Sequence, residues 1–572
     1  MKTSISSPTR RAFLGTALAA GGAAVSSAAI VRRRRLNILL VMTDQERGPA
    51  TLPAALDLPA HDWLRNRGVT FENFTVNTTP CSPSRSTIYF GRHTQQTGMI
   101  VNLDAPPFPQ LNTSLRSIGH QLAALGYYTA YKGKWHLSDV HEGAQLGYGP
   151  YSKTDTALNG FGFHDYNMDG DHHGKTWDGY RFDGPTVSDA IVWLNETARG
   201  LPAGQPWFMA VNLVNPHDVC FFESWRGQTK TRGNPNVLAP LAPAPTSEIY
   251  AKDWSDIALP PSFYHVDGKG EPWAVRSYRE LVDVTYGALP KDEAVWRNNQ
   301  SYYFNCVRDA SHKVASLFRA LEISGYADDT IVVFTSDHGE MGGAQRLRQK
   351  GPVVYRENVN VPFMVVHPDI RAPRSTQALG TAVDILPTLY AFAGGRAGEL
   401  RDPLGKLPGV DLGPAIARSG GISARDAHGA FHNYAVPLYM DPEVTKAIIR
   451  NGDTPGYWAI FWESMKLGQL GVNRHNRAFH RGVYDGRYKF ARFFAPAQHH
   501  IPQDWETLAR LNDLVLYDTN VDPFEMHNLA SEGAKHKDLI LALNRKTNAL
   551  IAEEIGTDDG REQPGPDFLY RL

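Results

Sequence analysis

Leu36-Asn37-Ile38-Leu39-Leu40-Val41-Met42-Thr43, with Asp44 directly after it, is the stretch on which the fold turns. It is largely apolar and lacks the every-second-residue alternation of a strand with one wet face. Such a run predicts a central parallel strand covered on both sides. Two more runs of this kind lie downstream, Pro206 to Val214 and Thr330 to Thr335. The first leads into Asn215-Pro216-His217-Asp218, and Asp337 and His338 sit just beyond the second. Between them, His61 to Arg67 and Thr113 to Leu125 have helical spacing, the latter stopped by Gly126, and Trp296 to Gly325 predicts one long helix. Val69 to Phe74 and Tyr127 to Tyr131 predict further strands. Strands alternating with helices imply an α/β sheet with right-handed crossovers. Open sheets of this type bind ligands beyond the carboxyl ends of their strands. Asp44, His217, Asp337 and His338 are therefore expected to converge on one crevice.

Beyond about Gly409 the pattern changes to short segments separated by turns. Asp485-Gly486 before an aromatic-rich run predicts a hairpin, and Lys537 to Ile555 a last helix. The chain divides on this reading into 36–410, a large catalytic domain, and 411–572, a subdomain with a small antiparallel sheet and terminal helix. The Pro-rich region from Asn234 to Pro261 is expected to be a long surface loop.

Composition narrows the function classes. In 572 residues, Lys+Arg 58 against Asp+Glu 59 leaves a net charge of -1, which gives no case for a nucleic-acid partner. Three cysteines, Cys81, Cys220 and Cys306, exclude a disulfide scaffold. Residues 1–30 read as a twin-arginine signal peptide: Thr9-Arg10-Arg11-Ala12-Phe13-Leu14 precedes a Gly/Ala-rich apolar stretch, and Ser26 to Ala29 offer small residues for cleavage. Alanine and glycine make that stretch too weakly apolar for stable membrane insertion. The expected partner is the twin-arginine export machinery and the expected location periplasmic or secreted. Arg32-Arg33-Arg34-Arg35 reads as a solvated flank.

Thr79-Pro80-Cys81-Ser82-Pro83-Ser84-Arg85 carries a Cys, a Pro and an Arg at the spacing C-x-P-x-R. This resembles the modification motif of the type I formylglycine-dependent sulfatases, in the alkaline phosphatase superfamily. Tyr131-Lys132-Gly133-Lys134-Trp135-His136-Leu137 is similar to that family's G-K-W-H segment, and Asp522-Pro523-Phe524-Glu525-Met526-His527-Asn528-Leu529 to its D-P-x-E-x-x-N-L segment. The resemblance spans about Leu36 to Leu529. It implies an alkaline-phosphatase-like fold and hydrolysis of a small or carbohydrate sulfate ester. It also implies a formylglycine-generating enzyme that oxidises Cys81 to the aldehyde whose hydrate is the nucleophile.

Roles follow residue by residue from the resemblance. Asp44, Gln45, Cys81, Asp337 and His338 would hold a divalent metal, Ca²⁺ on the strength of its oxygen ligands, with Mn²⁺ the alternative given the imidazole. Arg85 and Lys134 would contact the nucleophile and sulfate, and His136 the formylglycine hydroxyl. His217 and Lys350 would face the leaving group, and Lys132 replaces Lys134 if the register is shifted by two. Gln45 and His338 depart from the commonest arylsulfatase pattern of a second acid and an Asn. They resemble choline sulfatases and phosphonate monoester hydrolases, which makes a phosphonate monoester or phosphodiester the alternative substrate. Asp169-Gly170-Asp171-His172-His173-Gly174 fits no calcium loop and reads as a surface or pocket-rim loop. Tyr457, Trp458 and Trp462 read as packing rather than a sugar platform.

Overall fold

Strand β1 (Asn37–Asp44) is buried at every position. Its side chains alternate between two apolar layers. Ile38, Leu40 and Met42 pack with Ile88, Phe90, Leu386 and Leu389, and Leu39 and Val41 pack with Val187, Ala190, Leu317 and Leu321. The lack of alternation in the sequence thus reflects a strand with no wet face. The structure, a computed structural model, describes residues 35–569 apart from 110, 141–155, 167–169, 266, 267, 269 and 371. The expected signal peptide lies outside the described residues.

Seven strands form the central sheet: β1, β2 (Val69–Thr75), β3 (Tyr128–Gly133), β4 (Trp207–Pro216), β5 (Thr330–Ser336), β6 (Phe363–Val366) and β7 (Arg374–Thr381), in the order β3-β4-β1-β5-β6-β2-β7. β1 lies parallel to both β4 and β5, and β3 parallel to β4. β6 runs antiparallel to β5 and to β2, so the direction reverses twice and β2 points the same way as β5. The carboxyl ends of β1 to β5 consequently share one edge. The helix Asp178–Asn195 and the long helix Glu293–Ile323 cover one face. Asp292 caps the long helix, its carboxylate accepting from the Ala294 amide. On the other face lie the helices Cys81–Phe90 and Ile385–Phe392.

A tiny pair, β8 (Arg401–Asp402) and β9 (Gly405–Lys406), precedes an antiparallel four-stranded sheet, β10 (Ala430–Tyr434), β11 (Phe479–Tyr484), β12 (Tyr488–Phe494) and β13 (Asn512–Asp518). The turn at Asp485-Gly486 joins β11 to β12, Asp485 accepting from the amides of Arg487 and Tyr488. Helix Lys537–Leu550 packs on this sheet, and Arg492 reaches Asn544 and Asn548 on it. No helix among the described residues is long and apolar enough to cross a membrane.

Two expectations need correction. The helix expected from Thr113 spans only Ile118–Ala124, because Ser117 caps it, its hydroxyl accepting from the His120 amide. β6 and β7 were absent from the sequence reading. β6 has four residues, and β7 is exposed or half-buried over its first half, so neither forms a continuous apolar run.

Gly133 ends β3 at φ +83°, and a Cβ there would sit 2.0 Å from the Asn212 carbonyl. The next residue, Lys134, donates its amide to that same carbonyl at 3.1 Å. Gly133→Ala is expected to destabilise the fold by at least about 1–3 kcal/mol, through backbone strain and the clash with that carbonyl. Thermal unfolding beside Gly160→Ala, where a Cβ meets nothing within 4 Å, measures it.

Candidate active site

Each strand end delivers one part of the site. Asp44 ends β1, Lys134 and His136 follow β3, His217 follows β4, and Asp337 and His338 follow β5. β2 leads into the helix Cys81–Phe90, whose first residue is Cys81. Ligand atoms of Asp44, Cys81, Asp337 and His338 all lie within 4.8 Å of one another, and all four residues are buried. The Cys81 Sγ stands 3.1 Å from His338 Nε2 and 3.7 Å from Asp44 Oδ1. His338 Nδ1 pairs with the Gly339 carbonyl at 3.0 Å, which assigns the proton to Nδ1 and leaves the Nε2 lone pair facing the cluster. Two carboxylates, an imidazole lone pair and the Cys81 position suit a divalent cation with oxygen and nitrogen ligands.

Cations surround the two carboxylates. Arg85 donates from Nε to Asp337 at 2.8 Å, from Nη2 to Asp44 at 3.5 Å, and from Nη1 to the Lys134 carbonyl at 2.9 Å. Lys134 Nζ donates to Asp44 and to the His173 carbonyl. Against the effect of burial, Lys134 first among these neighbours holds the Asp44 carboxyl well below its ordinary value. Lys132 turns elsewhere, to the Asp165 carbonyl and the Asp189 carboxylate, so of the two lysines it is Lys134 that reaches Asp44.

Gln45 lines the same wall at φ +72°. Its side-chain amide donates to Glu340 and Gln349, and its Oε1 accepts from Lys350 Nζ and the Cys220 thiol. His217 lies on the far side of that group, with Nε2 3.7 Å from the Cys220 sulfur. Burial, then the Lys350 ammonium, hold the His217 imidazole well below the ordinary histidine range. Gly174, at φ +121°, lies so close that a Cβ would come within 2.5 Å of the His217 ring.

Sequence reading missed several residues of this neighbourhood. Cys220 is one of them: all three cysteines are free, and burial pushes the Cys220 thiol up to about 12. Its signal was present: His217 and Cys220 are three apart in a 3-10 turn, where i and i+3 eclipse. Glu340 and Gln349 had no readable pattern. Asp171 holds the amides of Trp135 and His136 at 3.1 and 2.7 Å, fixing the G-K-W-H turn from the rim loop; Asp169 lies outside the described residues. A second loop crosses above the helix Cys81–Phe90. The Ser82 amide donates to Asn102 and the Leu103 amide to the Ser82 hydroxyl, which brings Asp104 to His136. Farther along it, Phe108, 46% exposed, meets the rings of Trp458 and Trp462 at 6.2 and 6.4 Å. Both tryptophans also pack inward, as expected.

The family model described as Sulfatase matches residues 36–395. An ulvan-active sulfatase of Formosa agariphila is 27% identical over 408 residues, 68% of this chain and 67% of that protein. A choline-sulfatase of Rhizobium meliloti is 24% identical over 405 residues, 66% of this chain and 71% of that protein. The phosphonate monoester hydrolase of Agrobacterium radiobacter shares the fold, with a TM-score of 0.60 at 20% identity over 91% of this chain and 96% of that one. With the seven-stranded sheet and its charged carboxyl edge, these matches identify the chain as a member of the sulfatase family, a hydrolase of sulfate esters.

Proposed function

We propose that this sulfatase cleaves a small or carbohydrate sulfate ester with a formylglycine made from Cys81 and a divalent cation, Ca²⁺ by its oxygen-rich donors. The observation that carries the reading is the Cys81 Sγ, buried at a helix start inside the Asp44–Asp337–His338 cluster and flanked by Arg85 and Lys134. On this reading the Cys81 sulfur stands where the formylglycine oxygen would be. Asp44, Asp337 and His338, with Gln45 beside them, would hold the cation, which supplies positive charge to acidify a hydroxyl and to balance sulfate oxygens. Formylglycine supplies a hydrated aldehyde, one hydroxyl to attack sulfur and a second whose presence allows sulfate to leave.

The chain's own residues supply the rest. Lys134, Arg85 and Lys350 provide fixed positive charge for the equatorial oxygens. His136 takes the proton of the second hydroxyl. His217 gives a proton to the departing alcohol. Burial and then Lys350 hold the His217 imidazole below its ordinary range, and the opposing charge of a bound sulfate would favour its protonated form. The exposed face of Phe108 beside Trp458 and Trp462 supports a sugar as the alcohol half.

We read residues 36–410 as the catalytic domain and 411–572 as its C-terminal subdomain. The chain would leave the cytoplasm by the twin-arginine route after a formylglycine-generating enzyme has acted. Gln45 and His338 favour one second reading, a phosphonate monoester or phosphodiester hydrolase with the same nucleophile. Side-by-side assays of sulfate and phosphonate esters separate the two.

Mass spectrometry of the Cys81 peptide is expected to find about 18 Da less than the thiol form, the change from thiol to aldehyde. Cys81→Ser is expected to turn over at most once, since serine has no second hydroxyl. An unmodified Cys81 in active enzyme, or multiple turnover by the serine variant, rejects the assignment.

The two histidines should separate by leaving group. His217→Ala is expected to cost about 10²–10⁴-fold with alkyl or sugar sulfates and far less with an aryl sulfate whose phenol is acidic. His136→Ala should instead give a burst of released alcohol followed by slow turnover, whatever the alcohol. Equal loss across leaving groups with no burst makes both histidines structural.

A further inference from the structure

The segment that carries Lys350 rests on one face of a helix. Tyr278, Val282 and Tyr286 follow one another at four-residue intervals in the helix Trp273–Tyr286, so they share one side of it. Tyr278 is buried beneath the lysine segment. Its hydroxyl donates to the Arg348 carbonyl at 2.9 Å, and a Cβ on Gly351 would come within 2.3 Å of its ring. Tyr439 stands against that ring, with centroids 5.9 Å apart and planes at 72°. Tyr286, at the helix end, meets Phe221 at 5.8 Å and 61°, and Phe221 lies 6.4 Å from the His217 imidazole. Tyr439 also touches the opposite wall. It packs against Val101, Tyr434 and Val436, and the neighbour of Val101, Asn102, accepts from the Ser82 amide beside Cys81.

The three tyrosines differ in what their hydroxyls do. Tyr278 gives its proton to the backbone, whereas Tyr286 and Tyr439, both half-buried, make no hydrogen bond through theirs among the described residues. Burial raises both phenols, Tyr439 to about 12, and the Lys350 ammonium draws each back. Two neutral hydroxyls, each able to donate and to accept, therefore flank one fixed cation. Leaving such groups unpaired in a water-poor crevice is costly, and a hydroxyl-bearing ligand removes that cost. An aryl alcohol offers them only a ring. A positively charged alcohol would find aromatic faces, but the Lys350 ammonium stands beside them and like charges repel.

We propose that Tyr286 and Tyr439 are specificity-determining residues for the alcohol half of the substrate, each hydrogen-bonding a hydroxyl of a neutral sugar ring seated beyond His217 and Lys350. The assignment rests on the reading above, in which a carbohydrate sulfate is cleaved and its alcohol departs past those two residues. It narrows that reading to an uncharged polyhydroxyl alcohol.

The test is a ratio of rates. Full-length wild type, Tyr286→Phe and Tyr439→Phe, each checked by thermal unfolding, are assayed with nitrophenyl sulfate, choline O-sulfate and a panel of monosaccharide sulfates. Relative to the aryl ester, kcat/KM for the preferred sugar sulfate is expected to fall about 3- to 10-fold in each variant, chiefly through KM. The sugar sulfate lacking the matching hydroxyl should lose this sensitivity. A relative change below about 2-fold in either variant overturns the assignment for that tyrosine. Preference of wild type for choline O-sulfate over every sugar sulfate overturns the specificity for a neutral alcohol. Turnover of the aryl ester and of no sugar sulfate fails the carbohydrate reading itself, and this assignment with it. A sugar sulfate cleaved with the same relative efficiency by all three enzymes leaves that reading standing and rejects the tyrosines alone.

Discussion

Arg85 is the constraint on which the carboxyl edge of the sheet depends. Parallel pairing of β1 with β5 places Asp44 and Asp337 side by side in a buried pocket, where two carboxylates repel each other. One planar guanidinium reaches both, and its third contact fixes the backbone of Lys134, the second cation of the group. Breaking such a buried set by removing one partner typically costs about 3–5 kcal/mol. Arg85, Lys134 and Lys350 stand against Asp44, Asp337 and the Glu340 carboxylate behind Gln45, so the fixed charges balance before any metal is counted. The cations are oriented at the strand edge before any ligand arrives.

The sequence revealed the parts of the fold that are buried on two faces. β1, β4 and β5 were legible because a strand with no wet side must be apolar throughout, and the polar residues after them mark the ligand edge. β6 and β7 were not, since four residues carry no period and a half-exposed edge strand resembles a loop. The site divides in the same way. Cys81, Arg85, Lys134 and His136 sit in short local patterns, so they could be found. Glu340, Gln349, Asp171 and His173 act by holding other residues across long sequence gaps, and no local spacing encodes a contact between residues 45 and 340. Lys132 and Lys134 show the limit most directly. Both are buried on the same strand exit, and only the three-dimensional partners, Asp189 for one and Asp44 for the other, separate them.

The C-terminal segment reaches back into this arrangement. Glu525, within the D-P-x-E-x-x-N-L stretch, accepts from the Arg356 amide, six residues past Lys350, and pairs with Lys489 on β12. Asn528 accepts from the Leu516 amide on β13, so the stretch is tied to the small sheet at both ends. The small sheet therefore braces the loop that carries Lys350.

The Cys81 side chain has 0% of its surface exposed in the folded chain. It is enclosed by groups that come from as late as Asp337 and His338. On the formylglycine reading proposed above, an enzyme acting on Cys81 would have to reach it before this enclosure forms. Oxidation and the docking of β5 would then compete, and a chain that closed its sheet first would keep a buried, inert thiol.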